Sequence, residues 1–280
     1  MSKKFILNAD DFGMSEAFNT AVLEGYNFGI LKSTSICTNG EAFENAVSEI
    51  IPKCPNLSLG VHLNIIEGKS LCSGLNLLTD NFNEFNNGYL SLILKSFNKK
   101  FMEQVECEFR KQIEKALNFG LKIDHIDSHV HTHAIPNLFK LTCKLAKEYN
   151  IPQVRTQFEH FYITPQKDLH NKNYFVNLIK IMLLNSFTLI NRFTLKKYNL
   201  ETNEYLIGVG YTGMMNDKTL YYGLKSIKKD TVVEALIHPC KYENSDKKDS
   251  HTTEFELTQN GQLKEKIKEL NYEITNYIKN

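Results

Sequence analysis

Residues 5–13 read Phe-Ile-Leu-Asn-Ala-Asp-Asp-Phe-Gly, a short apolar run that ends on two adjacent carboxylates. Phe5 to Asn8 has the length of a short buried strand, and Asp10 and Asp11 stand where that strand gives way to a loop. A helix follows, with Ser15 placed to cap its first turn and Gly29 just beyond its end at Phe28. The alternation continues outward. Thr34 to Thr38 reads as a strand, and Glu41 to Ile51 as a helix stopped at Pro52. Leu57 to Asn64 reads as a strand with Val61 and Leu63 on one face and His62 on the other. Strands and helices alternating at this length imply an α/β fold, a parallel sheet with right-handed crossovers. The 280 residues suit one (β/α) barrel of roughly 250 residues as well as two domains.

Downstream, 66–98 is rich in Asn, Gly and Ser and reads as one long loop of the kind that binds ligands. Lys100 to Phe119 predicts a helix on the spacing of Phe101, Val105, Phe109, Ile113 and Leu117, ended by Gly120. Strands are expected at 122–127, 153–155, 205–209 and 232–237, and helices at 136–149 and 217–227. The stretch 156–204 reads as an insertion carrying an apolar helix, 240–253 as a loop, and 260–279 as a charged outer helix. With no repeat and no Pro-, Gly- or Ser-rich linker, 1–280 is read as a single domain.

Hydrophobic residues make up 42% and charged residues 23%, which excludes a disordered chain, a collagen-like fibre and a coiled coil. A net charge of +1 argues against a general nucleic-acid binder, which needs a basic field. The six cysteines include no C-x-x-C pair, so a zinc ribbon is not expected. The apolar run before the first carboxylates is only three residues, short of the about 7–15 of a signal peptide, and a cytoplasmic protein with reduced thiols is expected. The apolar stretch 174–195 carries Asn177, Lys180, Asn185, Asn191 and Arg192. Those groups favour a buried or partner-facing helix over a membrane span. A homodimer would cover its apolar face.

Four motifs could carry chemistry. Asn8-Ala9-Asp10-Asp11-Phe12-Gly13 reads alone as a turn signal feeding the Ser15 cap, or as paired carboxylates at a strand end. His62, in Gly60-Val61-His62-Leu63-Asn64, and His238, in Ile237-His238-Pro239, each read alone as a satisfied structural histidine. The densest is His125-Ile126-Asp127-Ser128-His129-Val130-His131-Thr132-His133, with four of the nine histidines in nine residues. Extended alternation would put His125, Asp127, His129, His131 and His133 on one side. Taken together, all four motifs fall at predicted C-terminal strand ends, the end where barrels build their sites. Two Asp and several His are the inventory of a three-ligand catalytic metal with an open position. A carboxylate and a His remain for acid–base work.

Asn-Ala-Asp-Asp-Phe-Gly at 8–13, Ser-Thr-Ser at 33–35 with Asn-Gly at 39–40, and Gly-Val-His-Leu-Asn at 60–64 with Glu67-Gly68 occur in order along the chain. His-Ile-Asp-Ser-His-x-His at 125–131 and Ile-His-Pro at 237–239 complete the set. Together they resemble the YdjC-like carbohydrate deacetylases, which include the chitooligosaccharide deacetylases. The resemblance implies a distorted (β/α) barrel related to the polysaccharide deacetylases. It implies one divalent metal, Mg²⁺ or Zn²⁺, held by Asp11, His62 and His129. Asp10 matches the family's general base and His238 its general acid. Arg155 stands where the family often has an Arg near the site, Asp127 would orient a metal-bound His, and His125 and His131 would support the site or face the sugar. Cys240 replaces the Gly that usually follows Ile-His-Pro; a left-handed backbone there would be strained and would shift His238.

The implied activity is removal of the N-acetyl group of an amino sugar or short chitooligosaccharide. Two rivals stand beside it. The alternating histidines of 129–133 suggest a multi-metal phosphoesterase, and a barrel scaffold also serves non-catalytic sugar binding.

Overall fold

In the computed structural model, which describes residues 3–165, 172–242 and 249–278, the chain runs as alternating strands and helices. The order is β1 (Lys3–Phe12), α1 (Glu16–Phe28), β2 (Ser33–Ile36), α2 (Phe43–Asn45), β3 (Ser58–Leu63), α3 (Tyr89–Lys95), α4 (Lys99–Asn118) and β4 (His125–Ser128). Then follow α5 (Pro136–Glu148), β5 (Gln153–Val154), α6 (Lys172–Tyr198), β6 (Tyr205–Ile207), α7 (Asp217–Ser226), β7 (Val232–Ile237), α8 (Ser250–Thr258), α9 (Gly261–Glu269) and β8 (Tyr272–Thr275). The sheet has the order β5-β4-β3-β2-β1-β7-β6, with β8 pairing the start of β1. Every pairing between strands is parallel. The two edges approach through irregular backbone: Val154 N donates to Glu201 O at 3.0 Å and Leu206 N to Phe158 O at 2.8 Å. The expected distorted barrel is thus a curled parallel sheet whose edges meet outside regular ladders.

Phe5, Leu7 and Ala9 on β1, Leu59, Val61 and Leu63 on β3, Ile126, Val154, and Val233, Ala235 and Ile237 on β7 join one apolar cluster with α4, α5 and α7. Each of the larger side chains, Phe, Leu, Ile and Val, stabilises the fold by about 1.5–3 kcal/mol on burial. The alternate positions carry Asn8, Asp10, Ser33, Ser35, His62, His125, Asp127 and Glu234, all buried. This polar interior brings the candidate site together. Gly60 is required there, because a Cβ would run into the His125 ring on the paired strand.

Helix α1 starts and stops where the sequence predicts, with Ser15 Oγ accepting from Phe18 N at 3.5 Å. Several expectations are corrected. The helix expected to stop at Pro52 runs from α2 through a wider turn at 46–50, and Pro52 lies inside the tight turn that follows. The loop 66–98 contains α3. The chain stays extended only to Ser128, and Val130 (φ 52°) and His131 (φ 56°) turn left-handed. The five residues expected on one side therefore diverge. The outer helix expected at 260–279 ends at Glu269, and Tyr272–Thr275 instead joins the sheet against Lys3–Ile6. In the 156–204 insertion α6 is present, and 166–171 lie outside the described residues. Of the 240–253 loop, 243–248 lie outside them, and α8 begins at Ser250.

Candidate active site

At the end of β1 the chain turns sharply. Asp11 is left-handed (φ 65°), a conformation Asp tolerates better than most residues. Gly13 follows at φ 88°, and its N–H donates to Asn19 Oδ1 at 2.8 Å. The reversal separates the two carboxylates. Asp10 enters the polar interior, and Asp11 meets His62 of β3 and His129, which follows β4.

Two imidazoles converge on Asp11 Oδ1, His129 through Nδ1 at 2.9 Å and His62 through Nε2 at 3.3 Å. The other nitrogen of His62, Nδ1, donates to Asp127 Oδ1 at 2.7 Å. Asp127 is fixed in turn, accepting from Ser35 Oγ at 2.7 Å and lying 2.7 Å from Arg155 Nη2. A carboxylate that holds one imidazole nitrogen leaves the other with its lone pair aimed at a ligand, the arrangement found behind metal-bound histidines. Burial works to raise the Asp11 carboxyl, but hydrogen bonds from His129 and His62 outweigh it and hold it well below the usual range. His62 loses charge stability on burial, yet the surrounding Asp127 and Asp11 push it up to about 10.

Asp10 is bound differently. Arg155 donates to it twice, Nη1 to Oδ2 and Nη2 to Oδ1, both at 2.7 Å, and Asn8 Nδ2 donates to Oδ1 at 2.8 Å. The same guanidinium donates through Nε to Glu234 Oε1 at 2.8 Å, and Tyr277 Oη also donates to Glu234. One cation thus serves Asp10, Asp127 and Glu234, and all four side chains are almost wholly buried. Burial opposes the charge on Arg155, and the three carboxylates overcome it, holding the guanidinium well above its ordinary range. Three carboxylates thus share one guanidinium, an excess of negative charge that a nearby divalent cation would offset.

His238 follows β7, half-buried. Its backbone N–H donates to Glu254 Oε2 at 2.5 Å, and its Nδ1 lies 3.5 Å from the same oxygen. Burial pulls His238 down, but Glu254, Asp11 and Asp10 push it up to about 9. Cys240 does not adopt a left-handed backbone. The strain expected from Cys in place of Gly is therefore absent.

Among the described residues, two sets of donor atoms lie within 4.8 Å of one another: Asp11, Cys37 and His62, and Asp10, His62 and Asp127. His129 belongs to neither tight set and approaches through Asp11. Burial and nearby Asp11 push the Cys37 thiol well above its ordinary range, and a neutral thiol is a poor ligand. His125 does not face a sugar. It is fully buried, stacked on Tyr277, with Nδ1 2.5 Å from Asp124 Oδ1 and Nε2 3.1 Å from Ser35 Oγ. His131 Nδ1 is buried with no hydrogen-bond partner among the described residues. Burial and Arg155 hold this ring well below the ordinary imidazole range. His133 is spent on structure, with Nδ1 2.5 Å from Ser128 Oγ and Nε2 3.0 Å from Arg155 O. That removes it from any three-histidine cluster of the kind a multi-metal site would need.

Sequence reasoning missed Glu234 and Glu254. The signal for Glu234 was a lone carboxylate inside an apolar strand, Val-Val-Glu-Ala-Leu-Ile, which must have a buried partner. Glu254 had no local signal.

Relatives with curated names match part of the chain. A carbohydrate deacetylase of Clostridium beijerinckii is 38% identical over 149 residues, 53% of this chain and 58% of the relative. Carbohydrate deacetylase 1 of Listeria innocua is 40% identical over 149 residues, 53% of this chain and 59% of its own length. The match therefore spans little more than half of these relatives. A solved structure described as a candidate cellobiose-phosphate cleavage protein from Enterococcus faecalis V583 shares the fold, with TM-score 0.75 and 22% identity over 99% of this chain and 98% of that one. The model of the YdjC-like protein family matches residues 4–269, from β1 to the end of α9 and across all four motifs. On that match, the chain belongs to the YdjC-like protein family.

Proposed function

We propose that this chain is a metal-dependent carbohydrate deacetylase that removes the N-acetyl group of an amino sugar or short chitooligosaccharide. The observation that carries the reading is the convergence of His62 Nε2 and His129 Nδ1 on Asp11 Oδ1, with Asp127 holding the far nitrogen of His62. The names of the relatives, matched over 58–59% of their own length, support the same activity. The donor chemistry fits a cation: two imidazoles and a carboxylate, with Asp10 and Asp127 grouped beside His62. Such a set suits Zn²⁺ by ligand softness, and the resemblance admits Mg²⁺.

A divalent ion held by Asp11, His62 and His129 would supply Lewis-acid polarisation of the acetamide carbonyl and a more acidic water. The remaining steps belong to the chain. Asp10 takes a proton from water as it attacks the acetyl carbon. Its carboxylate offers about four acceptor positions; Arg155 fills two and Asn8 one, which leaves one for that proton. His238, held protonated at neutral pH by Glu254, gives a proton to the amide nitrogen as the C–N bond breaks. Acetate and the free amino sugar leave.

Asp10→Asn and His238→Ala should each lower kcat/KM by about 10²–10⁴, the usual cost of an acid or base. Both variants should retain one metal ion. Acetate-release kinetics together with metal analysis check this, and either variant keeping full activity would refute its role. The working form of His238 is protonated, so activity should fall as pH rises through about 9. Glu254→Gln removes the partner that raises it, and the alkaline limb should move to lower pH.

We read 1–280 as one domain, because β8 near the C-terminus pairs with the start of β1. The six free cysteines support a cytoplasmic setting. The outer face of α6 supports a homodimer. Phe175, Ile179, Met182, Ser186, Leu189 and Phe193 recur at alternating intervals of four and three on that face, and the five apolar ones are 54–77% exposed. A heptad seam of this kind seats a second helix. The double variant Ile179→Glu/Phe193→Glu should elute as a monomer and the parent chain as a dimer, measured by light scattering.

A further inference from the structure

Beyond the metal ligands themselves, the mouth of the site holds a carboxylate with no assigned task. Glu67 Oε2 lies 3.2 Å from Nε2 of His129, the nitrogen that faces away from Asp11. The turn that presents it is built by side chains on its backbone. Asn64 Oδ1 accepts from Ile66 N at 3.0 Å and Glu67 N at 3.1 Å, and Asn64 Nδ2 donates to Glu67 O at 2.8 Å. Asn39 Nδ2 adds bonds to Glu67 O at 3.3 Å and Lys69 O at 3.1 Å. Gly68 completes the turn at φ 75°. Three side-chain groups therefore fix the backbone from which this carboxylate projects.

The two histidines use opposite nitrogens. His62 shows Nε2 to Asp11 and gives Nδ1 to Asp127; His129 shows Nδ1 to Asp11 and Nε2 to Glu67. A neutral imidazole carries one N–H, and an acceptor at one nitrogen decides which nitrogen keeps its lone pair.

We infer that Glu67 is the positioning residue for His129, holding the hydrogen on Nε2 so that Nδ1 is the ligand atom. It is the solvent-side counterpart of Asp127 behind His62. The inference rests on the reading of Asp11, His62 and His129 as metal ligands. The Glu67 side chain is 63% exposed, so water competes for His129. Its removal should weaken metal binding by about tenfold, the low end of the range for groups behind a ligand.

The test uses chelator-stripped full chain and Zn²⁺ alone, with affinity read by competition against a chromogenic chelator. Glu67→Ala should weaken Zn²⁺ about tenfold at unchanged one-to-one stoichiometry. Glu67→Gln, whose amide oxygen still accepts from Nε2–H, should recover part of the loss. In ¹⁵N-histidine-labelled protein loaded with Zn²⁺, the His129 Nε2–H signal should be held against exchange with water in the parent and exchange faster in Glu67→Ala. If Glu67→Ala binds Zn²⁺ like the parent while His129→Ala does not, the inference fails and the metal site stands. If His129→Ala and His62→Ala also bind like the parent, the reading of the metal site itself is wrong.

Discussion

Arg155→Met is expected to destabilise the folded chain by about 3–5 kcal/mol, the cost of leaving a buried charge without its partner. The reason is local and severe. Arg155 is the cation on which Asp10, Asp127 and Glu234 all converge at 2.6–2.7 Å, with every group at most 2% exposed. Removing it leaves three carboxylates in the sheet interior, where desolvation cannot be recovered from water. For a chain of this size, each kcal/mol moves Tm by about 2–4 °C. The melting temperature should therefore fall by on the order of 10 °C. Arg155→Met/Glu234→Gln should recover part of that loss, because one fewer negative charge is stranded. A fall below about 2 °C would mean that the carboxylates are neutralised by some other route.

The second large effect is expected at His62. His62→Ala should cost more than about 100-fold in metal affinity, since even a residue acting behind a ligand costs 10–100-fold. Acetate release should drop to background. The variant removes both the nitrogen facing Asp11 and the acceptor link to Asp127, while Asp127 keeps Ser35 and Arg155. The site should therefore lose its ion without collapsing. Asp127→Asn should give a smaller loss, within that 10–100-fold range. Metal per chain after gel filtration, beside a melting curve, separates the two cases. One equivalent of tightly held metal in His62→Ala would remove His62 from the ligand set.

The placement of the candidate residues at strand ends was legible because short apolar runs end on polar residues. Asp10–Asp11, His62 and His238 each close a strand that local sequence marks clearly. Asp127 and His129 were legible as a cluster, but their geometry was not. Period-two alternation assumes extended backbone, and Val130 and His131 break it by turning left-handed. A β-branched residue in that region is costly, and such strain gathers at functional sites. It was not visible in residue identity.

What escaped was the pairing of residues far apart along the chain. Arg155 reads locally as a strand end, yet it answers Asp10, 145 residues away, and Glu234, 79 residues away. Glu254 holds His238 from α8, 16 residues on. β8 is four residues, Tyr-Glu-Ile-Thr, after a charged helix, and its partner is the first strand. Local periodicity carries no information on such pairings. The same holds for His125, whose ring is buried because Gly60 on the neighbouring strand leaves room for it.

The most direct test of the deacetylase reading is acetate release from N-acetylated mono-, di- and trisaccharides. The chain would first be stripped by chelator and then reloaded with Zn²⁺ or Mg²⁺. The account predicts no release from stripped protein, and release restored by one equivalent of metal. It would be contradicted by undiminished release without metal, or by a chain that binds one metal ion tightly and frees acetate from none of these sugars.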